Sequence, residues 1–179
     1  MAVILTGIIG AVALTISNLS GVGESGTRIV ASNLAREGIE IVRNIRDANW
    51  LKNQTWDFGL KDGQDYTAIA ILNPTANEWG LNFDPESIDD PEACLYRDNG
   101  VYVQNIITPP GTSTIYFRLL SLDEICKNNI SLAEVIRTSG DSCLVSETKV
   151  GIRIKSEVKW TESGRTHTMV AEDRIYDWR

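Results

Sequence analysis

Histidine is almost missing from this chain: among 179 residues, His167 is the only one. Zinc sites take about four thiolate or imidazole ligands at close spacing, and the three cysteines, Cys94, Cys126 and Cys143, lie far apart with no CxxC pair. No metal site and no cofactor are therefore expected. GxSxG, HExxH, the phosphate-binding loop and the glycine-rich dinucleotide fingerprint are absent as well, so nothing marks a nucleophile, a metal-bound water or a phosphate cradle. No catalytic residue is assigned, and the chain is not expected to be an enzyme. His167 stands between two threonines on a predicted strand, where an ordinary exposed or half-buried imidazole is expected.

Concentrated positive charge is missing too. The 17 Lys and Arg are outnumbered by 24 Asp and Glu, for a formal net charge of -7. Binding a phosphate backbone takes clustered cations, so no nucleic-acid partner is expected. Proline is scarce, with five in all, and all but one fall in residues 77–94 and 108–114, which read as surface loops. Asp84, Glu86, Asp89, Asp90 and Glu92 crowd the first of these. Their spacing does not match the twelve-residue calcium loop, and a solvated acidic loop is expected.

Charge of either sign is missing from residues 1–23, where "MAVILTGIIGAVALTI" runs into "SNLSGVG" before Glu24 arrives. A bilayer span wants about 20 apolar residues, and the strongly apolar part here is shorter. A secretory signal normally opens with a basic region, which this segment lacks. The segment is read as a marginal spanning helix or membrane anchor, with a buried core helix as the alternative. Gly21, Gly23 and Gly26 then form a passage expected to act as a hinge.

Beyond the glycines the pattern turns amphipathic. Val30, Leu34, Gly38, Ile41, Ile45 and Ala48 recur at helical spacing, with a second row at Ala31, Ala35, Ile39 and Val42. Arg36, Glu37, Glu40, Arg43, Arg46 and Asp47 fill the other side. Leu34, Ile41 and Ile45 are the candidate contacts from helix to core. Residues 2–50 as one helix would run roughly 70 Å at about 1.5 Å per residue, longer than a domain of this size is wide. Residues 1–27 are accordingly read as an apolar stem and hinge, and 28–179 as a globular head that includes helix 28–51.

Strands are expected at 65–72, 100–106 and 113–122, and as a C-terminal hairpin turning at Ser163-Gly164. The helix covering this sheet gives an α+β head in two layers. If the head lies in an oxidising compartment, Cys126 to Cys143 is the favoured bridge, contributing roughly 3 kcal/mol, with Cys94 left over. Three reduced thiols are the alternative. Trp56 and Trp79 read either as core or as interface anchors beside the loops.

An apolar helix running through small residues into "ASNLAREGIEIVRNIRDANWL", with a sheet ending in "SEVKWTESGRTHTMVAEDRIYDWR", resembles the type IV pilins and type II secretion pseudopilins of bacteria, the minor pilins in particular. The resemblance is strongest over residues 1–51 and about 150–179. It implies a lollipop-shaped subunit, held in the inner membrane before assembly and afterwards packed with other pilin subunits into an extracellular filament. That family carries a basic leader ending in glycine and an acidic residue a few positions beyond it. Here Met1 is followed by "AVILTG" and no acid precedes Glu24, so the chain is expected to be a truncated version beginning inside the stem.

The leading expectation is a structural filament subunit. Its stem residues Ile4, Leu5, Ile8, Ile9, Val12, Leu14 and Ile16 would pack against neighbouring stems. Gly7 and Ala11, four apart, would permit close helix approach. The alternative is a membrane-tethered extracytoplasmic binding or adhesion module acting through the 74–94 and 108–114 loops.

Overall fold

The computed structural model describes residues 2–73, 75–105 and 111–178, and within 2–22 the side chains of Ile4, Ile8 and Val12. A single helix, α1, spans Ala2–Leu51, 50 residues in all. The glycine passage expected to hinge stays helical. Each glycine costs a helix only about 1 kcal/mol relative to Ala, and the local side chains offset that cost. The Arg28 guanidinium bridges Glu24 one turn back at 2.7 Å. The Thr27 hydroxyl lies 3.0 Å from the Glu24 carbonyl.

Eight strands follow: β1 (Thr67–Asn73), β2 (Glu78–Asn82), β3 (Cys94–Asp98), β4 (Val101–Val103), β5 (Thr112–Asn128), β6 (Glu134–Arg137), β7 (Glu147–Glu162) and β8 (Arg165–Tyr176). All named pairings are antiparallel. The long β5 is the axis of the sheet, with β7 and then β8 on one side. On its other side it carries β3, β1 and β6 in turn, and β4 and β2 extend β3 and β1. The fold is α+β, a long N-terminal helix packed on an eight-stranded antiparallel sheet.

Three expectations about the head need correction. Residues 77–94 are not a continuous loop: they contain β2, a turn of 3-10 helix at Pro91–Ala93 and the first residue of β3. Turn chemistry builds the β1–β2 hairpin, because the Asn73 carboxamide accepts the N–H groups of Thr75 and Ala76 and Asn77 supplies a positive φ of 52°. The second loop ends early, since β5 already begins at Thr112; residues 106–110 lie outside the described residues. The strand expected at 100–106 is reduced to Val101–Val103.

Alternation on β7 places Ile152, Ile154, Ser156, Val158 and Trp160 inward, as a half-buried strand should. Against them α1 lays Ala31, Leu34, Ala35, Ile39, Ile41, Val42 and Ile45, all buried. Each large aliphatic among these is worth about 1.5–3 kcal/mol when removed from water. Ala31 and Leu34 meet Tyr116, Val158 and Trp160, whereas Ile41 and Ile45 meet Leu120, Leu122, Ile152 and Ile175. Thus β5 starts beside the early turns of the buried helix and runs toward the helix C-terminus, which puts Asn128 at the end of the head away from the stem. Asn49 closes the last helical turn by donating to the carbonyls of Trp56 and Phe58 at 3.1 and 2.8 Å.

Candidate functional site

The N-terminal turns of α1 expose large aliphatic side chains. Ile4, Ile8 and Val12 are 68, 57 and 53% exposed. At spacings of four they form one apolar ridge along the helix. Water-facing ridges of large aliphatics mark surfaces meant for lipid or protein. Leu5, Gly7, Ile9, Ala11, Leu14 and Ile16 have side chains outside the described residues. Among the described residues, no helix is long and apolar enough to cross a membrane.

Where the stem meets the head, the β7–β8 turn rises against α1. The Thr27 hydroxyl donates to the Glu162 carboxylate at 2.7 Å, and the Tyr116 hydroxyl donates to the Thr27 carbonyl at 3.3 Å. Between these elements opens a cleft of about 460 Å³ lined by Gly23, Glu24, Glu162, Ser163, Arg165 and His167. His167 is half-buried and stacks on Trp160 with ring centroids 5.2 Å apart.

Deeper in the head, Arg118 is fully buried. It donates to the Leu34 carbonyl of α1 at 3.2 Å and to the Gln104 side chain at 3.2 Å, and lies 3.5 Å from the Glu37 carboxylate. Burial pushes its guanidinium down from the ordinary value while Glu37 pulls it back up. This network ties the helix to β5. Its Nη2 and the Trp160 indole N–H are buried without a partner among the described residues.

At the far end, Cys126 and Cys143 are joined in a disulfide and Cys94 is free and buried. Glu124 lies beside the bridge, within 4.8 Å of both sulfurs by their ligand atoms. The sulfurs are bonded to each other. The carboxylate is engaged by Lys61 at 3.0 Å, Lys149 at 3.3 Å and the Cys143 N–H at 2.9 Å, an arrangement that repels a cation. Burial opposes ionisation of Glu124, but these three donors outweigh it and hold its carboxyl below the ordinary range. Around this end, Ile130 is 91% exposed, and Leu132, Leu144 and Val145 also face water. The Asn129 N–H meets the Ser146 carbonyl at 3.0 Å, so the two apolar loops stand side by side.

The acidic loop spends its carboxylates locally. Asp90 accepts the N–H groups of Glu86 and Ser87, Asp84 accepts from Asn82, and Asp89 pairs with Lys159. Trp56 and Trp79 pack against the core as partly buried side chains. Neither the neck cleft nor the buried Arg118 is visible in the sequence pattern. The first joins residues more than a hundred positions apart, and the second occupies an inward strand position that normally carries an apolar residue.

A long N-terminal helix packed on an antiparallel sheet is compatible with a pilin-like fold. Compared with protein-family models, with curated proteins and with solved structures, the chain matches none.

Proposed function

We propose that the chain is a structural subunit, of minor pilin or pseudopilin type, in a type IV pilus-like filament that assembles through the N-terminal helix. One observation carries this reading. The same helix that is buried in the head from Ala31 onward exposes Ile4, Ile8 and Val12 as a continuous apolar ridge before it. A ridge of that kind is covered by lipid or by sister stems, and van der Waals packing of apolar helices suffices to hold stems together. The inner membrane before assembly and the cell surface afterwards are the corresponding locations.

The test is electron microscopy of cells carrying the native chain, no chain, or Ile8→Asp with Val12→Asp. Loss of appendages or of labelled subunits in both altered strains is expected. Appendages unchanged in number, length and labelling would remove the proposal.

A second reading, a membrane-tethered binding or adhesion module, draws on the exposed Ile130, Leu132, Leu144 and Val145 at the end of the head opposite the stem. Replacing the stem by an unrelated membrane anchor separates the two: a tethered binder keeps its activity, and a filament subunit loses incorporation.

A further inference from the structure

The neck cleft has a charge pattern that selects its ligand. Its acidic groups are Glu24 of α1, already bridged to Arg28, and Glu162 of the β7–β8 hairpin, held by Thr27. Arg165 and His167 stand beside Glu162 on the same β7–β8 hairpin. Glu162 and Arg165 face each other across the hairpin, yet Arg165 has no ion pair among the described residues. The Arg165 guanidinium and the Glu162 carboxylate therefore keep their charges unpaired by another ion among the described residues. A bare metal ion does not suit the cleft, because among the described residues Glu24, Glu162 and His167 do not converge to ligand distance. A simple anion would face two carboxylates, and a simple cation would face Arg165. A group carrying both signs, several ångströms apart, satisfies both the carboxylates and the guanidinium.

Position narrows the choice. Residues 1–23 carry no charged side chain, so a stem embedded in lipid through them puts Glu24 and Arg28 at the headgroup layer. We propose that this cleft binds a phosphoethanolamine zwitterion, the headgroup chemistry of phosphatidylethanolamine. The phosphate is taken by Arg165, whose planar fork matches it, with His167 beside it. The ammonium is taken by Glu162 and Glu24. A primary ammonium offers three N–H donors to these carboxylates, whereas a quaternary choline offers none, so the site discriminates between the two. The membrane source rests on the reading of residues 1–27 as an apolar stem and hinge; the chemistry of the cleft does not.

Because His167 is the only histidine, its ring signals in an NMR spectrum of the full chain report on this cleft alone. Titration with soluble glycerophosphoethanolamine should shift them saturably, and glycerophosphocholine and inorganic phosphate should not. Arg165→Ala and Glu162→Gln should each weaken binding about tenfold, the equivalent of 1.4 kcal/mol. Glu162→Gln retains an oxygen for Thr27, so its effect reads charge. No saturable shift, or equal shifts from all three compounds, overturns the site. Vesicles of phosphatidylcholine with and without phosphatidylethanolamine then identify the source. Preference for the vesicles that contain phosphatidylethanolamine assigns the lipid, and binding of the soluble zwitterion without vesicle preference supports the site for a soluble ligand. Ile8→Asp should abolish vesicle association while leaving the soluble titration intact. Unchanged vesicle association in that variant would sink the stem reading and leave the cleft standing.

Discussion

Gly38 sets how closely α1 rides over the sheet. A Cβ at this position would lie 2.4 Å from the Ser156 hydroxyl and 2.8 Å from a Leu120 methyl, distances at which packed atoms must move. Gly26 is also helical, but a Cβ there meets nothing within 4 Å. The same substitution should therefore have opposite signs at the two positions. Gly38→Ala should destabilise by about 1–3 kcal/mol through overpacking, despite the better helix propensity of alanine. Gly26→Ala should stabilise by up to about 1 kcal/mol. Urea denaturation midpoints of the two variants check the pair, and a stabilised Gly38→Ala would show that the helix can lift without loss. Glu124 yields the second residue-scale prediction. Its carboxyl is held below the ordinary range by Cys143 N–H, Lys61 and Lys149 against the opposing effect of burial. Between the lowered folded value and the unfolded value of about 4.3, the unfolded chain binds more protons, so stability rises with pH. The contribution is complete above the unfolded value and is lost as pH falls through the folded one. Midpoints measured across the acid range should fall more steeply for the native chain than for Glu124→Gln.

Among the elements, the loop between β6 and β7 depends most on a covalent tie. The disulfide joins residues 17 apart, and closing a loop of that size restricts the unfolded chain by about 3 kcal/mol. Gly140 adds a close approach, with a φ of 81° and its backbone against the Gln64 carbonyl. Reduction, or Cys126→Ser with Cys143→Ser, should lower stability by roughly 2–4 kcal/mol, read from denaturation with and without reductant. The elements differ in how much of them is legible in the sequence. The stripe through Leu34, Ile41 and Ile45 is legible because a helical face repeats with the period of its own backbone, and the β7–β8 hairpin because Ser163-Gly164 interrupts two runs of alternating residues. β2, β3 and β6 are short, and Glu78, Asn82, Arg97 and Glu134 dilute their patterns. Their existence is decided by neighbouring strands, which a single segment does not encode. The neck cleft fails to show for the same reason: Glu24 and Arg165 become neighbours only after the hairpin has docked on the helix.

On the scale of the whole molecule, α1 belongs to two environments. Among the described residues its fully buried side chains begin at Ala31, and the first described tie from helix to sheet is the Thr27 hydroxyl on Glu162. Ile4, Ile8 and Val12 are exposed and the described packing of helix on sheet lies from Thr27 onward, so the head's core should not need residues 1–22. A chain beginning at Gly23 should fold with a denaturation midpoint within about 0.5 kcal/mol of the full chain, the usual range for changes away from buried contacts. It should also sediment as a monomer, because the apolar ridge of Ile4, Ile8 and Val12 is gone. The full chain without detergent should self-associate, since a ridge of large aliphatics is removed from water only by a partner. Analytical ultracentrifugation of both forms, with urea midpoints on the same samples, tests the division. A shortened chain that unfolds would place the stem inside the head's own core. A full chain that stays monomeric would leave the ridge without a partner and the filament proposal without its physical basis.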